Sequence, residues 1–147
     1  MTEIRVVVAE DEAIIRMDLV EVLREEGYDV VAHTGRGDDA VALVAEHRPD
    51  LALLDVKMPG MTGIEAAREI TSSSDTAVVM LTAFSQRELI HEASDAGAMA
   101  YLVKPYQRED LVPAVELAIA RRREAAALRS ELDVAEQRFE ERKTIDR

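Results

Sequence analysis

The run Leu51-Ala52-Leu53-Leu54-Asp55-Val56-Lys57-Met58-Pro59-Gly60 is four apolar residues, then an aspartate, then a turn signal. A short apolar run closed by turn chemistry reads as a strand covered on both faces, of the kind a parallel sheet buries at its centre. Three other runs share the form. Ile4 to Ala9 ends on Glu10 and Asp11, Ala77 to Leu81 ends on Thr82, and Met99 to Val103 ends on Lys104 and Pro105. Together with Tyr28 to His33 they alternate with amphipathic stretches along residues 1 to 106, the pattern of βα units. The expected fold is α/β, a five-stranded doubly wound parallel sheet with a long C-terminal helix.

The intervening stretches read as helices. After Asp11, residues Ile15, Leu19, Val22 and Leu23 make one apolar stripe, and Gly27 stops it. Thr62 with Glu65, and Ser85 with Glu88, have the spacing of capping boxes that open two later helices, the second ending near Gly97.

Ligands of an open parallel sheet sit in the crevice beyond the carboxyl ends of the strands, so residues distant in sequence converge there. That places Glu10, Asp11, Asp55, Thr82 and Lys104 around one point. Each alone has an ordinary reading: a helix N-cap for Glu10 or Asp11, a turn residue for Asp55, a strand-end threonine, a surface lysine. Their coincidence at equivalent strand ends favours a site. Three carboxylates in one crevice repel unless a cation lies between them, and Mg²⁺, which takes oxygen ligands and keeps several waters, suits a place beside a phosphoryl group.

Composition narrows the classes further. The formal charge is -12, and its distribution is uneven: residues 1 to 120 carry 23 acidic and 10 basic side chains, residues 121 to 147 carry 7 and 8. So negative a globular part is a poor binder of nucleic acid by itself. The absence of cysteine removes disulfides and thiolate chemistry. With no leader at the N-terminus and no apolar run of membrane-spanning length, the expectation is a cytoplasmic protein with no membrane partner.

From about Gln107 to Arg142 a helical pattern runs past the point where a sixth element would end, for about 50 Å if continuous. Leu111, Ala118, Ala125, Leu132 and Phe139 recur every seven residues, with Leu128 and Ala135 at the alternate seam position. The division expected is a domain over 1–120 and a helical coiled-coil linker over 121–147. The dimer seam would be Ala125, Leu128, Leu132, Ala135 and Phe139. Pro113 is expected to bend the helix or delay its start.

The motifs Val8-Ala9-Glu10-Asp11-Glu12, Leu54-Asp55-Val56-Lys57-Met58-Pro59 with Gly63, Leu81-Thr82-Ala83 and Tyr101-Leu102-Val103-Lys104-Pro105 resemble the receiver domain of bacterial response regulators over roughly residues 4 to 120. The resemblance implies a flavodoxin-like receiver fold and a phosphoacceptor, not a turnover enzyme. In this light Asp55 accepts a phosphoryl group from a histidine kinase, and Mg²⁺ is held by Glu10, Asp11, Asp55 and the backbone carbonyl of Lys57. Lys104 contacts the phosphoryl oxygens, Thr82 and Tyr101 form the switch pair, and the Lys104-Pro105 peptide is cis.

Ala83-Phe84-Ser85-Gln86-Arg87, Ala96-Gly97-Ala98-Met99-Ala100-Tyr101 and the charged helix through Glu140-Glu141-Arg142-Lys143 are similar to actinobacterial regulators of the ANTAR class. That implies a coiled-coil linker followed by a small RNA-binding domain controlling transcription antitermination, with the chain stopping where that domain begins. RNA would then be a partner only through the absent domain. Two rivals remain: a haloacid-dehalogenase-type phosphatase, which needs a second aspartate where Lys57 stands, and a phosphorylation-independent dimerisation module.

Overall fold

The computed structural model describes residues 3–83 and 88–145, with side chains through Gln137. Ten elements alternate along it: β1 (Arg5–Ala9), α1 (Ala13–Glu25), β2 (Asp29–Thr34), α2 (Gly37–His47), β3 (Leu51–Asp55), α3 (Gly63–Ser73), β4 (Ala77–Ala83), α4 (Ile90–Asp95), β5 (Ala100–Lys104) and α5 (Arg108–Ile145). The strands form one parallel sheet in the order β2-β1-β3-β4-β5. This is the doubly wound α/β architecture, and its order reverses between β1 and β3.

Period-two alternation sorts the side chains of each strand onto two cores. Val6 and Val8 of β1, with Leu51, Leu53, Val79 and Leu81, pack under α1 and α5 through Leu19, Leu23, Leu111, Val115 and Ala118. Val7, Ala9, Ala52, Leu54, Val78 and Met80 face the other way, onto Ala40, Val44, Ala66, Ile70 and Ala93 of α2, α3 and α4. Every residue of β3 is buried, as its uninterrupted apolar run requires.

Differences from the sequence pattern have local causes. β2 begins at Asp29 because the Tyr28 N–H is already donated to Leu23 O at 3.0 Å, closing the end of α1. β4 extends to Ala83 because Thr82 and Ala83 still pair with Val103 and Lys104. On α1 the fully buried set is Leu19, Val20 and Leu23, with Ile15 and Val22 only at its margins. That helix packs onto the sheet by its C-terminal half, and its first turn leaves Ile14 87% exposed.

Thr62 is the N-cap of α3 and accepts from the Glu65 N–H at 3.2 Å. The Glu65 carboxylate accepts the Thr62 hydroxyl at 3.1 Å, so it meets the cap by its side chain. The second capping box involves Ser85, which lies outside the described residues. Gly27 and Gly97 follow α1 and α4 at φ 94° and 101°, the left-handed backbone that lets a helix stop.

α5 runs unbroken over 38 residues. Pro113 sits inside it and does not delay its start. Asp110 accepts from the Gln107 N–H at 3.1 Å, fixing the first turn ahead of the proline, which then removes a single helical bond near the end of the element. Leu111 and Ala118, the first members of the seven-residue recurrence, are fully buried against the sheet. Farther along the same stripe support is lost: Leu128 is 60% and Leu132 62% exposed, and Ala135 is exposed. The Phe139 side chain lies outside the described residues. Among the described residues, no helix is long and apolar enough to cross a membrane.

Candidate functional site

The parallel register brings the carboxyl ends of β1, β3 and β4 level, since Ala9 pairs with Leu54 and Leu54 with Met80. Glu10 and Asp11 follow β1, Asp55 closes β3, Thr82 is next to last in β4, and Lys104 closes β5. The crevice therefore opens at the β1/β3 reversal, where such sheets bind ligands.

Glu10 is fully buried and Asp55 is 7% exposed, while Asp11 stands at the solvent edge. One carboxylate oxygen from each of Glu10, Asp11 and Asp55 falls within 4.8 Å of the others. Oxygen donors so grouped fit a hard divalent cation, and the open side toward Asp11 leaves room for its waters. Neither Glu10 nor Asp11 is the N-cap of α1; that position is Glu12, which makes no side-chain cap bond. Glu10 Oε2 accepts from the Glu12 N–H at 3.3 Å, which orders the turn.

Lys104 reaches in from the far side. Its ammonium contacts Glu10 and lies 3.3 Å from Asp55 Oδ1. The peptide joining it to Pro105 is cis. Burial alone would push this ammonium's pKa down, but the Glu10 and Asp55 carboxylates outweigh it and hold the group above its ordinary value. Asp55 is pushed up to about 8, first by burial and then by the facing Glu10 carboxylate. Burial also acts to raise Glu10, yet its contacts with Asp55, Lys104 and Asp11 prevail and lower it. Burial and mutual repulsion thus set the two carboxylates against each other, and ionising both at once is disfavoured.

The remaining expected residues lie on the strands and turn that carry this centre. Thr82 is 1% exposed, and its hydroxyl donates to Leu102 O at 3.4 Å. Tyr101 is the second residue of β5 and is 48% exposed. Lys57 lies in the turn after Asp55 with its side chain in solvent. Gly63 completes that turn: its N–H donates to Val56 O at 2.8 Å, and a Cβ there would fall 1.9 Å from Asp55 O.

Two residues near the site were not singled out by pattern. Arg16, on α1, donates from Nη1 to the Glu10 backbone carbonyl at 2.7 Å. Tyr106 packs against the core beyond Pro105, with its hydroxyl pushed up to about 12 by burial. A charged residue one turn beyond an acidic pair was the available signal for Arg16; an aromatic beside Lys104-Pro105 was that for Tyr106.

This order of strands, with an acidic trio and a lysine at the reversal, is the flavodoxin-like receiver architecture. Residues 6–116 match the response regulator receiver domain, and the chain belongs to that family. It is 56% identical over 143 residues to the transcriptional regulatory protein PdtaR of Mycobacterium tuberculosis strain H37Rv, a match taking in 97% of this chain and 70% of that protein. It is 35% identical over 112 residues to the chemotaxis protein CheY of Bacillus subtilis, covering 76% of this chain and 93% of that one. Among solved structures, the signal receiver domain of NarL from Mycobacterium tuberculosis superposes with a TM-score of 0.77 at 32% identity, over 82% of this chain and 98% of that chain.

Proposed function

We propose that this receiver accepts a phosphoryl group from a histidine kinase on Asp55 in a Mg²⁺-dependent reaction, and that the change controls a C-terminal RNA-binding antitermination domain of the ANTAR class. The observation that carries the phosphoacceptor reading is the convergence of the Glu10, Asp11 and Asp55 oxygens within 4.8 Å, beside Lys104.

The chemistry is an in-line transfer. A bond forms between an Asp55 carboxylate oxygen and phosphorus as the donor's bond to phosphorus breaks, and the leaving group departs with that electron pair. The charge is spread over three equatorial oxygens, so positioning and electrostatic support supply most of the catalysis. Asp55 is the nucleophile and attacks as the carboxylate. Glu10, Asp11, Asp55 and the Lys57 carbonyl would hold Mg²⁺, which when bound would supply positive charge that favours the ionised carboxylates and offsets the phosphoryl oxygens. Lys104 stays charged and turns from the carboxylates toward the incoming oxygens. Exposed Ile14 and Met17, on the first turns of α1 beside the crevice, give a phosphodonor an apolar surface to meet.

Phosphorylation adds charge and acceptor oxygens at Asp55. The Thr82 hydroxyl bonds one of them, leaves Leu102 O, and vacates space that Tyr101 fills by turning inward. The face formed by α4, β5 and α5 changes as a population shift between two packings. In this reading residues 1–120 are the receiver and 121–147 a cytoplasmic helical linker that pairs two copies through Ala125, Leu128, Leu132, Ala135 and Phe139.

Intact mass after incubation with acetyl phosphate and Mg²⁺ tests the phosphoacceptor reading. A stoichiometric phosphoryl adduct is expected. Catalytic turnover without adduct would favour a phosphatase, and no reaction at all would leave a dimerisation module.

A further inference from the structure

Glu10 is wholly buried, so its backbone N–H and C=O both need partners within the protein. Its N–H donates to Thr34 O of β2 at 3.0 Å. Its carbonyl takes Nη1 of Arg16 at 2.7 Å. Arg16 is the fourth residue of α1, and its own N–H donates to Glu12 O at 2.9 Å, so the guanidinium folds back over the turn that carries Glu10 and Asp11. Among the described residues its Nε is buried without a hydrogen-bond partner, and the Glu10 carbonyl is the acceptor its Nη1 reaches.

The space for that guanidinium is made by Gly35, in the turn after β2. A Cβ on Gly35 would fall 2.8 Å from Arg16 Nη1, 3.5 Å from Asp11 Cα and 3.6 Å from Glu10 O. Gly35 is not among the residues with positive φ, so the backbone does not require glycine there. A Cβ there would press on the Arg16 guanidinium, which would have to shift.

We infer that Arg16, seated against Gly35, is a positioning residue for the cation site: it fixes the peptide of residue 10 so that the Glu10 and Asp11 carboxylates keep the spacing a divalent cation needs. The inference rests on the reading of Glu10, Asp11 and Asp55 as a Mg²⁺ site. Arg16 touches neither metal nor phosphoryl group. It acts as an outer partner that orients ligands, and loss of such a partner typically weakens metal binding by about 10- to 100-fold.

Titration calorimetry of Mg²⁺ into the full chain tests this with the parent, Arg16→Met, Arg16→Lys and Gly35→Ala. Arg16→Met keeps the apolar stem and removes the donors. Gly35→Ala keeps the arginine and displaces it, so it reaches the same contact by an independent route. Both are expected to weaken Mg²⁺ by about tenfold or more. Arg16→Lys, which retains a donor, should recover part of the loss. The double variant should lose little beyond either single one, because both act through one contact. At saturating Mg²⁺ the rate of phosphorylation by acetyl phosphate should return to within a few-fold of the parent, since Asp55 and Lys104 are untouched. Folded Arg16→Met or Gly35→Ala with parental Mg²⁺ affinity would overturn the inference, as would losses that simply multiply in the double variant. A parent chain that binds no Mg²⁺ would overturn the functional reading along with it, so the two failures are distinct.

Discussion

Lys104 Nζ lies 3.3 Å from Asp55 Oδ1, and the same ammonium contacts the buried carboxylate of Glu10. One cation from β5 therefore faces two carboxylates from β1 and β3. A single positive charge cannot balance both, and the raised pKa of Asp55 favours keeping one proton within the pair.

That proton makes stability depend on pH. With the Asp55 pKa pushed up to about 8 from 3.8, the folded state holds a proton that the unfolded chain has already released. Metal-free stability from this group is therefore greatest at low pH and falls as pH rises from about 4 to about 8, levelling above that. Glu10 is shifted down and acts oppositely: its contribution is present above its unfolded pKa and lost as pH falls through its folded one. Thermal melts in EDTA at about pH 5.5 and about pH 8.5 should show the lower midpoint at the higher pH. Millimolar Mg²⁺ should raise the midpoint most at the higher pH, where the carboxylates are free to ionise.

Gly63 is a matter of space. Its missing Cβ would lie 1.9 Å from Asp55 O and 3.0 Å from the Met80 terminal methyl, so Gly63→Ala must move the backbone that carries Asp55. The expected cost is about 1–3 kcal/mol by urea denaturation, with slower phosphorylation in the fraction that remains folded.

Tyr101 is expected to move. At 48% exposure its ring is largely outside, while Thr82 is buried at 1%. Carbon-detected resonances of ring-labelled tyrosine should shift for Tyr101 on adding beryllofluoride with Mg²⁺, and Tyr28, at the far end of the sheet, should stay put. In Thr82→Ala the coupling should be weakened, with the Tyr101 resonance insensitive to the analogue.

The architecture was legible because buried parallel strands leave unbroken apolar runs, and Leu51 to Leu54 or Val6 to Val8 admit few other readings. The strand-end residues were legible for the same reason: once the strands are placed, topology brings Glu10, Asp55 and Lys104 together. The α1 stripe was legible only in part. Val20 is buried and Ile15 marginal because the helix meets the sheet by one end, which periodicity does not report. The place of Arg16 near the acidic pair was legible but its role was not, because that role depends on a carbonyl and on a glycine in another loop, both contacts across the fold. Pro113 misled because the Asp110 carboxylate, by bonding the Gln107 N–H, secures the turn before it.

The exposed half of α5 carries the remaining expectation. Leu128 and Leu132 stand 60% and 62% exposed on one stripe, an arrangement that a second copy would cover. Sedimentation of the parent at rising concentration should show self-association, and Leu128→Glu with Leu132→Glu should abolish it while leaving phosphorylation intact. A parent that stays monomeric, phosphorylated or not, would make this stretch a linker without a pairing role.

Asp55 is proposed as the residue that takes the phosphoryl group. Borohydride reduces an aspartyl phosphate to homoserine, so treatment with acetyl phosphate and Mg²⁺ followed by borohydride and peptide sequencing reads the acceptor directly. Homoserine at position 55, absent when Mg²⁺ is chelated and absent in Asp55→Asn, is the expected result. Homoserine at another aspartate, or an adduct that persists unchanged in Asp55→Asn, would contradict it.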